Sequence, residues 1–405
     1  MNCGIPVAKD TYWVGVNDRQ TDLFESIWPL PRGVSYNAYL VADEKVALID
    51  TVKNCYEADL IGKIQGILGK DRGVDYLIVN HMEPDHSGAI KVLKGFFPQM
   101  KIVGNAQTKE FLKSFYAVDD SDILVFKDGE GLDLGAHKLS FHLIPMVHWP
   151  ETMVTFDWAT GVAFTCDAFG GFGTLDGGIF DDEVDMGYYE GEILRYFSNI
   201  VGRYAPQVEK AIEKLKGLDY KIIAPSHGPI HRKNPNYIVE QYARWSRHET
   251  DCGAVIAFGS MYGNTQKVAE QVARALSAEG IEHIVLHDTS RSHPSFIVRD
   301  IWRYSGLVLA ACTYNMILFP PVQTLVEHLK NKNMKNRILG VCASYSWSKG
   351  VALKALKELA ASGGWELLEP QVEVKSSPTP EDLKLCDQLG KNLAQRLKAC
   401  QSAAG

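Results

Sequence analysis

The sequence has no pair of cysteines spaced C-x-x-C, although it contains eight cysteines in 405 residues. Single, scattered thiols are typical of proteins kept reduced in the cytoplasm, and their spacing excludes a metal site built from four thiolates. No apolar run approaches the ~20 residues that a membrane helix needs. The first residues, 1–6, lack the basic and apolar regions of a signal peptide. We therefore expect a cytoplasmic protein without a membrane segment.

Two further absences narrow the range of ligands. No G-x-G-x-x-G turn with an acidic partner is present, so the sequence gives no sign of a nicotinamide site. Positive charge is not in excess, since the chain has 42 Lys and Arg residues and 49 Asp and Glu residues, which gives a net charge of −7. That balance argues against general nucleic-acid binding and fits small-molecule chemistry or a basic patch on a partner. The length and the apolar content of 46% predict two or three globular domains.

The densest cluster of metal-capable side chains follows an apolar run at 76–79 that is typical of a buried strand. It consists of His81, Glu83, Asp85 and His86. Residues 89–97 then show the apolar spacing of a helix. A polar loop with solvated charges is the alternative, but four such groups packed together without a cation would incur desolvation and repulsion. We predict that this loop holds one or two divalent ions.

Three later residues repeat the pattern of a strand followed by a metal-capable side chain. His148 follows the predicted strand 140–145, Asp167 follows 162–165, and His227 follows 221–225. Each of these residues alone is weak evidence for a metal site, because a lone histidine is usually structural. We assign a structural role to His137, His142, His231 and His248. Together with the first loop, the set provides four imidazoles and three carboxylates, the ligand count of a two-metal site with one bridging carboxylate. Asp167 is the candidate bridge, and Asp50, at another strand end, is expected to orient a ligand.

From residue 253 the sequence changes to regular alternation of strands and helices. The predicted strand 253–258 leads into the turn 260–265, and helical spacing follows at 268–276. Backbone N–H groups at such a turn, together with the helix dipole, favour a phosphate. Two further strands, 306–311 and 338–342, end in loops with hydroxyl and aromatic side chains. In a doubly wound parallel sheet these loops lie beside the turn, at the strand ends where ligands bind.

Both halves resemble known families. His-x-Glu-x-Asp-His followed by the later His, Asp and His resembles the metallo-β-lactamase-like αββα sandwich, and the Glu83 variant is similar to the flavodiiron proteins. A carboxylate in place of an imidazole gives the metal a harder and more anionic set of ligands, which favours iron without excluding zinc. The turn 260–265 resembles the flavodoxin phosphate loop, with Tyr262 where that loop usually has threonine. We predict an α/β fold with a diiron domain at 1–250 and a flavodoxin-like domain at 251–405.

The flavodoxin resemblance implies FMN, since the fold shows no second nucleotide site. Aromatic faces from Tyr314, Tyr345 or Trp347 can cover an isoalloxazine while hydroxyl and backbone groups reach its polar edge. The residues expected to bind FMN come from the three loops: Ser260, Met261, Tyr262, Gly263, Asn264, Thr265, Thr313, Tyr314, Asn315, Met316, Ser344, Tyr345, Ser346, Trp347, Ser348, Lys349 and Gly350.

The combined resemblance covers nearly all of the chain and is that of a class A flavodiiron protein without an appended rubredoxin or reductase domain. It implies an oxidoreductase that reduces O2 to water, NO to N2O, or both, at two non-haem irons, with electrons passing through FMN from rubredoxin or another small donor protein. It also implies that His81, Glu83 and His148 hold one iron, that Asp85, His86 and His227 hold the other, and that Asp167 bridges. His86 does not coordinate in every member, and no separate acid or base is assigned.

The resemblance further implies a head-to-tail homodimer, or a dimer of such dimers. Two other hypotheses remain open from the sequence. The first is a dizinc hydrolase in which a metal-bound hydroxide attacks a thioester or phosphodiester, with the flavodoxin half as a regulator. The second is an electron carrier whose first domain is a structural metal module.

Overall fold

The computed structural model describes residues 4–404 and divides the chain into two compact units, Met1–Ala243 and Arg244–Gly405. Each unit has its own buried core. Within the described residues, no helix combines the length and the apolar composition needed to cross a membrane.

The first unit contains two large mixed sheets packed face to face. Inward residues of both sheets, such as Val41 and Ile49 on one and Phe141 and Phe164 on the other, share one core. The first sheet has the order β1-β2-β7-β8-β9-β10-β11, the second has the order β12-β13-β14-β15-β16, and β3 pairs with β6 and β4 with β5. These strands are β1 (Ile5–Ala8), β2 (Thr11–Trp13), β3 (Val16–Asp18), β4 (Leu23–Phe24), β5 (Trp28–Pro29), β6 (Val34–Tyr36), β7 (Tyr39–Ala42), β8 (Val46–Ile49), β9 (Tyr76–Ile78), β10 (Lys101–Gly104), β11 (Ile123–Val125), β12 (Gly131–Asp133), β13 (Lys138–Leu143), β14 (Met153–Asp157), β15 (Val162–Cys166) and β16 (Ile222–Pro225).

Helices of the first unit begin and end where the sequence provides local signals. The Asn105 side chain accepts hydrogen bonds from the N–H groups of Gln107 and Thr108, which fixes the start of one helix. Another helix buries Leu60 and Ile64 on one face, as its apolar spacing predicts. The helices are α1 (Glu57–Leu68), α2 (Pro84–Ser87), α3 (Ile90–Phe96), α4 (Ala106–Tyr116), α5 (Met186–Tyr196), α6 (Ala205–Leu215) and α7 (Pro235–Ser246), the last of which spans the division between units.

The second unit is built around a parallel sheet in the order β18-β17-β19-β21-β22, with β23 also paired to β21 and β20 paired to β19. The central strands are buried on both faces, which explains their uninterrupted apolar runs. Its elements are β17 (Asp251–Gly259), α8 (Asn264–Ala278), β18 (Ile284–Asp288), α9 (Pro294–Arg303), β19 (Tyr304–Tyr314), β20 (Ile317–Leu318), α10 (Pro320–Asn331), β21 (Ile338–Tyr345), α11 (Val351–Gly363), β22 (Glu366–Leu367), β23 (Val372–Lys375) and α12 (Pro380–Ala404).

Two strands extend further than the sequence predicts. The apolar runs predict ends at Ala311 and Cys342, whereas β19 continues to Tyr314 and β21 to Tyr345. The extensions have hydrogen-bonding partners that periodicity does not reveal, because β20 pairs with the end of β19 and β23 with the end of β21. Several of the residues expected to bind FMN therefore lie on rigid strand ends instead of free loops.

Histidines that the sequence assigns to structural roles have local partners. His137 Nδ1 lies 2.8 Å from Asp157 Oδ2, and His142 Nε2 lies 2.9 Å from Ser140 Oγ. His231 Nε2 lies 3.3 Å from the carbonyl oxygen of Phe169. His248 packs against the indole of Trp302, with ring centroids 5.1 Å apart.

His231 should make the metal-free protein sensitive to acid. Burial lowers the pKa of its imidazole to about 4, whereas an unfolded histidine titrates near 6.5. The unfolded chain therefore takes up the proton first, and stability falls as the pH drops from about 6.5 to about 4, by up to about 3 kcal/mol. We expect His231→Gln to reduce the stability lost between pH 7 and pH 5 by about 2 kcal/mol in denaturant titrations of both metal-free proteins. Equal losses in the two proteins would contradict this.

Candidate functional site

The predicted metal residues gather at one edge of the first unit. His81 and Glu83 follow β9, and the short helix α2 carries Asp85 and His86. Asp167 and His227 follow β15 and β16, which are parallel neighbours, so their carboxyl ends point to the same edge. His148 lies in the connection between the antiparallel strands β13 and β14. One loop from the first sheet and three from the second therefore converge on a single point.

Four of these side chains each place one possible ligand atom within 4.8 Å of the others. His81 Nε2 lies 3.3 Å from Glu83 Oε2 and 3.5 Å from Asp167 Oδ2. His148 Nε2 lies 3.1 Å from both of those oxygens. A tetrahedral ion about 2.0–2.1 Å from each ligand needs ligand atoms about 3.3 Å apart. The spacing therefore suits one metal ion.

A second group faces the other oxygen of Asp167. Asp85 Oδ2 lies 3.3 Å from the Nε2 atoms of both His86 and His227. Asp167 Oδ1 lies 2.9 Å from His86 Nε2 and 3.5 Å from His227 Nε2. Asp167 thus turns Oδ2 to the first group and Oδ1 to the second. That is the arrangement a carboxylate needs to bridge two ions.

Several buried polar atoms at this site have no hydrogen-bond partner among the described residues. They include His227 Nε2, both ring nitrogens of His86 and both carboxylate oxygens of Asp85. Buried polar atoms without partners are rare, and each destabilises a protein unless something else satisfies it. Cations placed in the two groups would satisfy the Asp85 oxygens and the two Nε2 atoms, so the donor set fits a metal pair.

The electrostatics of the site also require positive charge. Burial opposes charge on His81 and His148, but hydrogen bonds to neighbouring carboxylates outweigh it and raise the pKa of each imidazole to about 10. Burial likewise opposes a charge on Asp167, yet the surrounding histidines hold the pKa of its carboxyl well below the usual range. The carboxylates therefore stay ionised and draw protons onto the imidazoles. Metal ions supply the same positive charge and release those protons.

Hydrogen bonds on the outer nitrogens turn two of the imidazoles toward the site. Glu151 Oε1 lies 2.7 Å from His81 Nδ1 and accepts the N–H of Met82 at 2.9 Å. The carbonyl oxygen of Ser35 lies 2.7 Å from His227 Nδ1. With Nδ1–H donating outward, the Nε2 lone pair is free to point at a metal. Glu151 is not predicted from the sequence, because nothing in its local pattern indicates a contact with a residue 70 positions away.

Asp50 acts on the loop backbone and not on a ligand imidazole. Its carboxylate accepts hydrogen bonds from the backbone N–H of Asn80 at 2.8 Å and from Asn80 Nδ2 at 3.1 Å. Thr51 Oγ1 donates to the carbonyl oxygen of His86 at 2.6 Å. These bonds hold both ends of the loop that carries the first four metal-capable residues. The predicted orienting role of Asp50 is therefore indirect.

Cys166 lies beside the second group, and its thiol could in principle join His86 and Asp167 around an ion. Burial raises the pKa of the Cys166 thiol well above the usual range, with the charges of Asp50 and Asp167 adding to the effect. Its Sγ donates a hydrogen bond to Asp167 Oδ1 at 4.0 Å, so we assign Cys166 as a hydrogen-bond donor to Asp167 and not as a ligand.

A pocket of about 300 Å³ opens onto the carboxylate side of this site, and its lining includes Glu25, Lys53, Glu83 and Asp85. Trp28 Nε1 donates to Glu25 Oε2 at 2.8 Å, which holds that carboxyl in the pocket. Tyr196 is also close, with its ring centroid 5.6 Å from that of His227 and its buried hydroxyl without a hydrogen-bond partner among the described residues. Neither role is predicted by the local sequence, in which Tyr196 has the spacing of an ordinary apolar helix face.

The predicted FMN loops form a cavity of about 130 Å³ at the strand ends of the second unit. Gly263 starts α8 with a φ of +86°, and its N–H donates to Ser260 Oγ at 3.0 Å. Thr265 Oγ1 lies 3.0 Å from Ser344 Oγ. Nine of the residues expected to bind FMN line the cavity: Ser260, Met261, Tyr262, Asn264, Thr265, Thr313, Ser344, Tyr345 and Ser346.

The other residues expected to bind FMN lie beyond this cavity. Trp347 and Met316 are 88% and 61% exposed, so their side chains are open to cover a ring system from outside. Tyr262 is 90% exposed, and its hydroxyl is therefore not buried in the phosphate turn. Gly350 precedes α11 with a φ of +86°. Gly263, Tyr314, Asn315, Ser348 and Lys349 complete this outer set.

Comparisons with known proteins agree with this geometry. Residues 34–228 match the ODP family beta lactamase, and residues 256–389 match the flavodoxin family. The chain is 33% identical over 401 residues to a protein named nitric oxide reductase from Moorella thermoacetica, covering 98% of this chain and 100% of that protein.

Solved structures are similar over the full length. The rubredoxin oxygen:oxidoreductase from Desulfovibrio gigas matches with a TM-score of 0.93 and 30% identity, covering 98% of this chain and 99% of that chain. A variant of the flavo di-iron protein from Thermotoga maritima matches with a TM-score of 0.87 and 27% identity over 96% of both chains. The predicted αββα sandwich followed by a flavodoxin-like sheet is confirmed.

Proposed function

The chain belongs to the flavodiiron protein family, and we propose that its seven clustered side chains hold the two irons in the arrangement that their distances allow. The protein is an oxidoreductase that reduces O2, NO or both at a non-haem diiron site, with electrons passing through FMN. Bound iron supplies electrons and Lewis acidity to the oxidant, and bound FMN supplies electrons from a donor. The dizinc hydrolase and electron-carrier alternatives are not favoured by these relatives.

The ligand assignment rests on the two oxygens of Asp167. We assign His81, Glu83 and His148 to one iron, because their donor atoms surround the region that Oδ2 faces. We assign Asp85, His86 and His227 to the other, because their donor atoms surround the region that Oδ1 faces. His86 belongs in this set because its Nε2 is buried, lacks a hydrogen bond and lies closest to Oδ1.

The FMN assignment rests on the cavity that begins at the N-terminus of α8. Its hydroxyl groups and free backbone N–H groups suit a phosphate. The exposed Trp347 and Met316 would lie against the isoalloxazine outside it. We assign all seventeen loop residues to FMN on this basis, with the cavity-lining ones on the phosphate side.

We propose that Tyr196 is a hydrogen-bond donor at the metal site, because its ring centroid lies 5.6 Å from that of His227. Its hydroxyl is buried, and burial together with the charges of Asp167 and Glu83 raises the pKa of the phenol well above the usual range. The group therefore keeps its proton at neutral pH and would be a hydrogen-bond donor beside the residues that would hold the irons.

We further propose a cytoplasmic enzyme that receives electrons from rubredoxin or another small donor protein. A reducing compartment is supported by seven cysteines that are all unpaired in the described chain. A head-to-tail homodimer, alone or paired into a dimer of dimers, would bring the flavin of one subunit to the metals of its partner. We also propose that the first domain ends at residue 250 and that the second begins at residue 251.

Cofactor content tests the proposal directly. Protein produced without added metal should be yellow, release one FMN per chain on denaturation, and contain close to two irons per chain by elemental analysis. Reduced protein should consume O2 or NO with oxidation of its flavin. Stoichiometric zinc with hydrolase activity, and no flavin oxidation by either gas, would reject it.

A further inference from the structure

The last strand of the second unit reaches the flavin cavity, although no predicted flavin loop includes it. Ser376, immediately after β23, lines the cavity together with Ser260 and Thr265 of the phosphate turn. β23 pairs in parallel with the end of β21, so both strands finish at the same edge. The cavity is therefore formed by four chain segments and not three.

Ser376 is held in a conformation that serine seldom adopts. Its φ is +62°, in the left-handed region. Its N–H donates to the carbonyl oxygen of Tyr345 at 2.7 Å, and its Oγ donates to Ser346 Oγ at 3.4 Å. Strained backbone of this kind persists where surrounding contacts enforce it, and it is concentrated at binding sites.

A further hydrogen bond stabilises the same region. Glu373 on β23 accepts the N–H of Gly350 at 2.5 Å, which ties the loop after β21 to the last strand. The hydroxyl of Thr313, in the cavity lining, is buried and has no hydrogen-bond partner among the described residues. An unpartnered hydroxyl in the wall of a small polar cavity indicates a ligand with acceptor atoms.

The cavity lining contains no cationic side chain among the described residues that form it. A phosphate bound there would depend on hydroxyl donors, backbone N–H groups and the positive end of the α8 dipole. Its volume of about 130 Å³ suits a phosphate group better than a three-ring system. The exposed Tyr262 adds no buried hydroxyl, so each remaining donor carries more of the binding.

We infer that Ser376 is a further FMN-binding residue whose hydroxyl donates to the phosphate group. This inference rests on the proposed function in taking FMN as the cofactor. Rotation of the Ser376 side chain would let this hydroxyl donate to the phosphate group instead of to Ser346 Oγ. FMN binding thereby involves β23, the last strand of the second unit.

The test measures flavin binding to the full-length protein after its FMN has been removed. Ser376→Ala should weaken FMN binding about tenfold, as expected for one hydrogen bond to a charged group, and change riboflavin binding less than twofold. Direct binding of inorganic phosphate to the FMN-free protein should weaken by a similar factor in this variant. Ser377→Ala is the matched control, because Ser377 is the next residue, is exposed like Ser376 and is not part of the cavity lining.

Ser376→Gly separates the hydroxyl from the backbone. Glycine adopts the +62° conformation without strain, so it removes the hydroxyl while preserving the turn. Loss of FMN affinity equal to that of Ser376→Ala would support the inference, and binding as tight as in the wild type would overturn it. Equal weakening of FMN and riboflavin, or an equal effect of Ser377→Ala, would also overturn it. A wild-type protein that binds no FMN would instead reject the proposed function.

Discussion

Replacing Asp167 with alanine should abolish oxidant reduction and leave the flavin in place. The substitution removes both oxygens that face the two donor groups, so neither group keeps four closely spaced ligand atoms. Loss of even an outer contact to a metal ligand commonly costs 10–100-fold in affinity, and a bridging ligand should cost roughly 100-fold or more. We expect iron to fall well below two equivalents per chain and turnover with O2 or NO to be lost.

FMN content distinguishes loss of the metal site from general unfolding. The residues assigned to FMN belong to the second unit, which has its own core, so Asp167→Ala should keep one FMN per chain. His142→Ala is the matched control, since His142 lies on β13 of the same unit, bonds to Ser140 and is not in the metal cluster. Unchanged iron in Asp167→Ala together with lost iron in His142→Ala would show that the ligands are assigned wrongly.

The residues predicted to bind metal lie together in the structure because local sequence patterns mark the strand ends that carry them. An apolar run marks each strand, and the side chains that follow a parallel strand collect at the same edge of the sheet. His148 fits this rule least well, because it lies in a connection between antiparallel strands, five residues beyond the end of β13 at Leu143. Its placement depends on the turn between β13 and β14, which periodicity does not describe.

The roles of Glu151 and Ser376 could not be predicted, because they depend on contacts between distant segments of the chain. Glu151 reaches His81 only because β14 packs its preceding turn against the loop after β9, where Met153 N–H donates to the carbonyl oxygen of Asn80. Ser376 reaches the flavin cavity only because β23 pairs with β21. Both contacts depend on which strands are neighbours, and strand order is set by packing over the whole domain instead of by local sequence.

The division into two units raises the question of how electrons pass from flavin to iron. Residues assigned to FMN lie at the strand ends of the second unit, and residues assigned to iron lie at the loops of the first. Electron transfer requires the isoalloxazine to lie close to the iron pair. Large apolar side chains are exposed beside both sites, Leu23 and Ile27 near the metal pocket and Met316 and Trp347 near the flavin cavity. A head-to-tail dimer would bury such side chains and set the flavin of one chain against the metals of the other.

Mixing two inactive variants should therefore restore activity. One variant carries Asp167→Ala and keeps its flavin, and the other carries Gly263→Val with Thr265→Ala and keeps its metals. Gly263 has a φ of +86°, which a β-branched residue cannot adopt without strain, and Thr265 lines the flavin cavity, so the second variant should lose FMN. In a head-to-tail dimer, each mixed pair sets the intact flavin of one chain against the intact metals of the other.

Random exchange of subunits makes half of the dimers mixed, and each has one working pair of two, so activity should recover to about a quarter of the wild-type value. Electron transfer within a single chain predicts no recovery, because neither variant has both cofactors. Exchange must be verified independently, for example with two affinity tags purified in sequence. Verified mixed dimers without activity would exclude electron transfer between subunits.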